Sequence, residues 1–290
     1  MLDRKDIAII VGVVPGDDVV SAFAKSRGVN VVQCSDINSD EFISLVKSLG
    51  AELLINVFFL QRYRARLLNV PRFGAINVHP SKLPNYRGRD CVRWAMVNGE
   101  KEIGVTVHQM DEALDTGDIL LQESITVQPD DCYLDVLEKL KITYPRIVLE
   151  AVRILSRGEV KRRTQTPGEG TYFPHRLPVD GRINWSDKSL DIYNLIRASC
   201  EPGFYAYSHL GERKIFITKA SMMPGSDYES IKGGRSQISG RVLDYDYADP
   251  SRFSVLVGTA DGVISIQKYF ADGAQETEGA KILKRGDRFS

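Results

Sequence analysis

An asparagine and a histidine stand two positions apart at the end of an apolar run, Ala75-Ile76-Asn77-Val78-His79. A stiff loop follows, Pro80-Ser81 and then Leu83-Pro84-Asn85-Tyr86-Arg87-Gly88, and further on comes Leu114-Asp115-Thr116-Gly117-Asp118. Residues i and i+2 of a strand share a face, so the Asn77 amide and the His79 imidazole project together. With the Asp115 carboxylate they supply a neutral donor, an imidazole and an acid, the parts needed to move a proton and hold an oxyanion. Ligands of open α/β sheets bind beyond the carboxyl ends of the strands. The competing reading is that Asn77 and His79 cap loop backbone and that Leu-Asp-Thr-Gly-Asp is an ordinary turn. The three residues argue for chemistry together, not singly.

Other polar residues carry less. His108 closes an alternating strand and by itself reads as structural, and His175 and His209 have no supporting neighbours. There is no HxxxH, HExxH or CxxC, so no metal site is expected. GxSxG, GxGxxG and GxxxxGK[ST] are also absent, which removes the fingerprints of a serine hydrolase, a dinucleotide site and a P-loop. Cys91 reads as packing. Tyr172-Phe173-Pro174 either lines a substrate slot or packs in the core.

These side chains need a scaffold. A chain of 290 residues, 43% hydrophobic, suffices for one large or two smaller domains. Lys+Arg and Asp+Glu each total 38, so the zero net charge gives no global argument for nucleic acid or an anionic membrane. Four dispersed cysteines (Cys34, Cys91, Cys132, Cys200) fit reduced thiols in a cytoplasmic protein. Ile7–Val14 is too short to span a bilayer and reads as a buried parallel strand. Strand and helix then alternate. A helix is expected over Val19–Ser26, capped by Asp17 or Asp18 and stopped by Gly28. A strand at Val29–Gln33 follows, then a helix capped by Ser39 with Phe42, Leu45, Val46 and Leu49 on its apolar face. Leu53–Phe59 reads as a strand buried on both faces, Trp94–Val97 as helix, and Gly104–Met110 as an alternating strand. Residues 133–157 read as a helix broken or kinked at Pro145. The pattern predicts a parallel sheet with right-handed crossovers.

After the Gly-, Pro- and Thr-rich loop Thr164–Thr171 the texture changes. Ser186 or Ser189 opens a helix with Leu190, Tyr193 and Ile196 on one face. Short strands are expected at Lys214–Thr218, Arg241–Asp244, Ser254–Val257 and Val263–Gln267. Ala260-Asp261-Gly262 is a hairpin turn between the last two, and Pro224–Gly240 reads as a polar linker. Short strands with regular turns suggest a small barrel or sandwich.

Asn77-x-His79, the Pro-Ser-x-Leu-Pro-x-Tyr-Arg-Gly run, Asn98-Gly99-Glu100, Gly104-Val105-Thr106-Val107-His108 and Leu-Asp-Thr-Gly, in this order, resemble the N10-formyltetrahydrofolate-dependent formyltransferases. Residues 5–180 carry this resemblance. Ile183-Asn184-Trp185, Ile196-Arg197-Ala198, Pro202-Gly203-Phe204 and Gly286-Asp287-Arg288-Phe289 resemble the C-terminal domain of the methionyl-tRNA and aminoarabinose-nucleotide members. The resemblance implies an α/β, Rossmann-like formyltransferase domain with a mainly parallel sheet at 1–170, a linker and helix at 171–203, and a smaller OB-like β-barrel domain at 204–290. It implies N10-formyltetrahydrofolate as co-substrate and Asn77, His79 and Asp115 as catalytic residues. Asn77 and His79 would steady the formyl oxygen while Asp115 orients the imidazole and relays the amine proton. Backbone near Leu60–Arg62 and the loop of Met110, Asp111 and Glu112 would hold the pterin.

Only 76 residues precede Asn77. Ile7–Val14 matches the family's second strand better than its first, so the first βα unit is expected to be missing, through a late start or in a weakened enzyme. Lys82 stands where members often have Leu and is expected to face solvent. No basic insert of the kind expected to grip a tRNA acceptor stem is visible, although the missing unit would remove it too. Tyr86-Arg87-Gly88-Arg89-Asp90 followed by Arg93-Trp94 looks more like the sugar-nucleotide enzymes. The acceptor expected is therefore the amine of a nucleotide-linked amino sugar, with Arg89 or Arg93 meeting its pyrophosphate and Tyr172 lining its slot. Methionyl-tRNA ranks second as partner. A folate-binding relative without activity, or a formyltetrahydrofolate hydrolase, is the alternative of another class. No membrane partner is expected. A homodimer through the second half is compatible with the sequence, but no hydrophobic stripe marks one.

Overall fold

A computed structural model describes residues 11–14, 19–223, 238–246, 254–273 and 282–290. Residues 7–10 of the first expected strand, the caps Asp17 and Asp18, and the linker up to residue 237 lie outside the described residues. The chain divides into two compact units. One comprises residues 1–88, 103–125 and 139–173, and the other 89–102, 126–138 and 174–290.

The elements to the first unit's end are β1 (Val11–Val14), α1 (Val19–Ser26), β2 (Asn30–Gln33), α2 (Asp40–Ser48), β3 (Leu54–Asn56), α3 (Ala65–Leu68), β4 (Ala75–His79), β5 (Arg87–Gly88), α4 (Cys91–Val97), β6 (Glu102–Gln109), β7 (Ile119–Thr126), α5 (Tyr133–Arg157) and β8 (Tyr172–Phe173). α4 and the first turns of α5 belong to the second unit. Local chemistry explains several boundaries. Ser39 Oγ accepts the Phe42 N–H (3.2 Å) at the start of α2, and Asp40 and Glu41 sit in its first turn, where the helix dipole favours acids. Phe42, Ile43 and Val46 of α2 pack with Ile37 and Leu67. α5 runs through Pro145 as one helix rather than two.

The sheet that carries the site has the order β3-β4-β6-β7. β3 and β4 are parallel, pairing Asn56 with Asn77, while β4 and β6 are antiparallel, pairing Asn77 with His108 and His79 with Thr106. The sheet is therefore mixed, not mainly parallel. β6 enters at the end where β4 leaves, and an antiparallel partner needs no full crossover. The expected strand over Leu53–Phe59 shrinks to three residues, since Phe58 adopts φ +57° and the Asn56 side chain receives the Phe59 N–H. β7 was not anticipated from the sequence.

The second unit continues with a 3-10 turn (Pro178–Gly181), α6 (Ser189–Ala198), β9 (Ala206–Leu210), β10 (Arg213–Met222), β11 (Val242–Asp246), β12 (Ser254–Gly258) and β13 (Val263–Ala271). α6 buries Ile192 and Ile196 but leaves Leu190 exposed, contrary to the face expected. Its sheet has the order β11-β12-β13-β10-β9 and these neighbouring strands all pair antiparallel. Val255 and Val257 of β12 join one apolar cluster and Leu256 another, so both faces are covered. Thr259 N–H donates to Gly262 O (2.9 Å) in the expected β12–β13 hairpin. β9 and β11 end this order, and residues 286–290 hydrogen-bond to both, through Gly286 and Asp287 with Val242 and through Ser290 with His209. Among the described residues no direct ladder between β9 and β11 closes the OB-like barrel that was expected. No helix of the described residues is long and apolar enough to cross a membrane.

Candidate active site

Sheet register sets Asn56, Asn77 and His108 side by side on β3, β4 and β6. Their side chains form one directed chain of hydrogen bonds. The Phe59 N–H donates to Asn56 Oδ1 (3.2 Å), Asn56 Nδ2 donates to Asn77 Oδ1 (3.0 Å), and Asn77 Nδ2 donates to His108 Nε2 (3.1 Å). At the far end His108 Nδ1–H donates to Gln109 O (2.8 Å). A backbone N–H only donates and a carbonyl only accepts, so the two ends fix both amide orientations and the His108 tautomer between them.

His79 Nε2 lies 2.8 Å from Tyr86 O, so this nitrogen carries a proton and donates. In neutral His79 the bare Nδ1 then faces Asp115 Oδ2 at 3.6 Å. Burial is the largest influence on His79 and pushes its pKa below the ordinary value; the Asp115 charge and the Tyr86 contact oppose this in part, and His108 adds to it. A neutral, basic imidazole at neutral pH is the consequence.

Asp115 is buried, with Gly88 N–H on Oδ2 (2.9 Å), Asn77 Nδ2 at 3.5 Å and His108 Nε2 at 3.6 Å from Oδ1. Burial raises its pKa, but the contacts with His108, His79 and the Gly88 N–H outweigh that, and the carboxyl stays below the usual carboxylate range. The cluster therefore holds an ionised acid with a fixed amide donor 3.5 Å from one of its oxygens and a neutral base 3.6 Å from the other.

The motif loop is held against its neighbours. Thr106 Oγ1 donates to Ser81 O (2.6 Å), and Gln122 Nε2 donates to Leu83 O (3.0 Å). Gly104 is required because a Cβ there would lie 2.3 Å from the Lys82 backbone nitrogen. Gly88, at φ +102°, pairs with β8 so closely that a Cβ would meet Phe173 O at 2.2 Å. Lys82 is exposed, as expected.

The remaining expected residues separate. Leu60 and Arg62 are exposed, as are Asp111 and Glu112, with Met110 half-buried. Glu112 Oε1 accepts the Ala65 N–H (3.1 Å), tying the Met110–Glu112 loop to the start of α3, and Val57 and Phe58 are exposed. Tyr172 is exposed and its hydroxyl donates to Leu114 O (3.3 Å), next to Asp115. Arg89 is exposed. Arg93 is not the pyrophosphate contact expected. It is buried, its Nη1 donates to Ala198 O (2.6 Å), its Nη2 donates to the carbonyls of Cys200 (2.9 Å) and Pro202, and its guanidinium lies 3.6 Å above the Tyr133 ring. Asn56, His108, Arg87 and Gln165 were missed as site residues. The available signal for Asn56 was an amide inside an apolar run.

The chain matches the formyl transferase family over residues 11–152 and the formyl transferase C-terminal domain over residues 178–286. It is 37% identical over 277 residues to a methionyl-tRNA formyltransferase of Thermodesulfovibrio yellowstonii, covering 93% of this chain and 84% of the relative. The chain belongs to the formyltransferase family. This formyltransferase uses N10-formyltetrahydrofolate as co-substrate. Among solved structures it is similar to HypX from Aquifex aeolicus in complex with tetrahydrofolic acid (TM-score 0.59, 20% identity), covering 90% of this chain but 43% of that one. It is also similar to WlaRD, a sugar 3N-formyltransferase (TM-score 0.58, 19% identity, 86% and 80% covered). The chain spans less than half the length of HypX, and both likenesses are of fold alone. The formyltransferase is thus nearer in sequence to a methionyl-tRNA enzyme than the amino-sugar expectation implied.

Proposed function

We propose that this formyltransferase transfers the formyl group to the α-amine of methionyl-tRNA, with Asn77, His79 and Asp115 as its catalytic residues. The observation that supports the acceptor is 37% identity to a methionyl-tRNA formyltransferase across 93% of the chain, both family regions included. The burial of Arg93 removes one of two arginines that favoured a sugar pyrophosphate.

N10-formyltetrahydrofolate supplies the formyl carbon. The fit to it rests on the donor set of the cluster and on the exposed apolar side chains Val57, Phe58 and Leu60 in the segment that follows Asn56, which suit a flat heterocycle. As the amine nitrogen bonds to the formyl carbon, negative charge grows on the formyl oxygen. Asn77 Nδ2 turns the N–H of its long 3.5 Å contact toward that oxygen, while its other N–H stays on His108. Losing such a donor costs about 10²–10³ in rate. His79 Nε2–H is held by Tyr86 O, so His79 acts through Nδ1, accepting the amine proton beside ionised Asp115. That proton leaves with the departing folate nitrogen as its bond to the formyl carbon breaks.

The test supplies formyltetrahydrofolate with charged initiator tRNA, with a panel of amino-sugar nucleotides, or with no acceptor, and follows tetrahydrofolate release. Formylation of the tRNA is expected, with His79→Ala folded and inactive. Product only with a sugar would replace the acceptor, release without acceptor would make the chain a hydrolase, and undiminished turnover in His79→Ala would remove the catalytic assignment.

A further inference from the structure

We infer that Gln165 is the positioning residue that holds Asp115 in its working place. The inference rests on the formyl-transfer reading of Asp115, which nothing about Gln165 itself requires.

Asp115 adopts φ +57°, in the left-handed region that non-glycine residues seldom enter. Something must hold it there, and the Asp115 carbonyl has two donors. Arg87 Nε reaches it at 3.2 Å and Gln165 Nε2 at 3.0 Å. Gln165 Nε2 also donates to Gly117 O (2.7 Å), bracketing the turn two residues on. Gly117 cannot drift or be replaced cheaply, because a Cβ there would lie 1.9 Å from Gln109 O. The turn is therefore bounded on one side by strand backbone and held on the other by the Gln165 amide, which alone spans Asp115 O and Gly117 O, with Arg87 Nε beside it.

Gln165 is in turn fixed by Arg87. Its Oε1 accepts from Arg87 Nε (3.1 Å) and Nη2 (2.6 Å), while Nη1 donates to Glu169 O (2.9 Å) and the guanidinium lies 5.2 Å from the Tyr172 ring centroid. Both Arg87 and Gln165 are buried. An arginine end faces Oε1 and two carbonyls face Nε2, so the amide orientation is determined. No other uncharged side chain of this length offers an acceptor to the arginine and two donors to the carbonyls. Glutamate would keep the first contact and set an oxygen against both carbonyls. Leucine would fill the volume and lose all of them. Asp115 released from this bracket would turn its carboxylate away from Gly88 N–H and from His79 Nδ1.

The experiment compares Gln165→Leu, Gln165→Glu and Asp115→Asn with the wild type, following the His79 ring by NMR titration alongside formyl transfer. Asp115 raises the His79 pKa, so Asp115→Asn moves the His79 midpoint to lower pH. Gln165→Leu is expected to move it the same way, and both Gln165 variants to lower kcat about 10²-fold, as small misplacements of catalytic groups do, with KM for the formyl donor changed by no more than about twofold. A Gln165 that serves only folding would lower the thermal midpoint and leave the His79 titration unmoved, and that result in folded Gln165→Leu, or undiminished kcat in either folded variant, overturns the inference. If the wild type formylates no acceptor, the functional reading fails, yet the titration still decides the role of Gln165.

Discussion

Asn56 offers a sharp test of the site, because its two simplest substitutions are expected to rank against intuition. Its side chain takes the Phe59 N–H on Oδ1 and gives Nδ2 to Asn77 Oδ1, and both asparagines are buried. Asn56→Ala leaves Asn77 Oδ1 and the Phe59 N–H without these partners, a loss of about 1–3 kcal/mol of stability for each group. His108 still orients Asn77, but a neutral bond worth about 1 kcal/mol net biases an amide only about fivefold. The fraction of enzyme presenting N–H to the formyl oxygen falls accordingly, and kcat/KM drops by about tenfold at most. Asn56→Asp preserves shape and still accepts the Phe59 N–H. Its second oxygen, however, faces Asn77 Oδ1 and forces that amide over, so that Oδ1 points at the reacting oxygen. The whole contribution of the Asn77 donor is then lost, about 10²–10³ in kcat/KM. The assay is single-turnover formyl transfer on both variants, with folded fraction set by near-ultraviolet circular dichroism. An Asn56→Asp enzyme as active as Asn56→Ala would refute the directed chain of hydrogen bonds.

Further outcomes follow from the same geometry. Arg93→Ala is expected to cost about 3 kcal/mol of stability by freeing buried carbonyls, with KM for any acceptor unchanged once folded, as thermal unfolding and kinetics on the folded fraction would show. The acid limb of the wild-type kcat/KM profile should lie below pH 6.5, since burial lowers the His79 pKa and the neutral ring is the working form. In Asp115→Asn the limb should move lower still while the plateau falls, and a limb moving upward would contradict the assigned proton acceptor. Stability follows the same sign. With folded His79 lowered, the unfolded chain binds the extra proton first, so stability declines as pH falls below about 6.5, and the depressed Asp115 adds a further loss below about 4.

Much of the local structure was legible in residue order because its causes are local. The helix at Val19–Ser26 and the hairpin turn at Thr259–Gly262 lie where periodicity and turn chemistry put them. The Ser39 cap is likewise a matter of neighbours three residues apart. Where contacts between distant segments decide, residue order alone does not carry the outcome. β7 has no strong alternation of its own and is half-exposed along much of its length. The mixed direction of the site sheet depends on which end β6 enters, and what covers the edges of the C-terminal sheet depends on which distant segments meet them. Neither is written in any single segment.

The sequence by itself determined which side chains could do the chemistry. Asn77 and His79 at the end of one strand and Asp115 in a Gly-bounded turn are fixed by composition and spacing, since the two-residue period of a strand is intrinsic to its backbone. Only the tertiary structure decided how those groups are set. Pairing across β3, β4 and β6 brought Asn56 and His108 alongside Asn77, and a loop fold brought Gln165 and Arg87 under Asp115. It also decided that Arg93, charged and well placed along the chain, is spent inside the protein. Hydrogen-bond direction and burial arise between segments far apart in sequence, and they turn suitable residues into an oriented donor, a neutral base and an ionised acid.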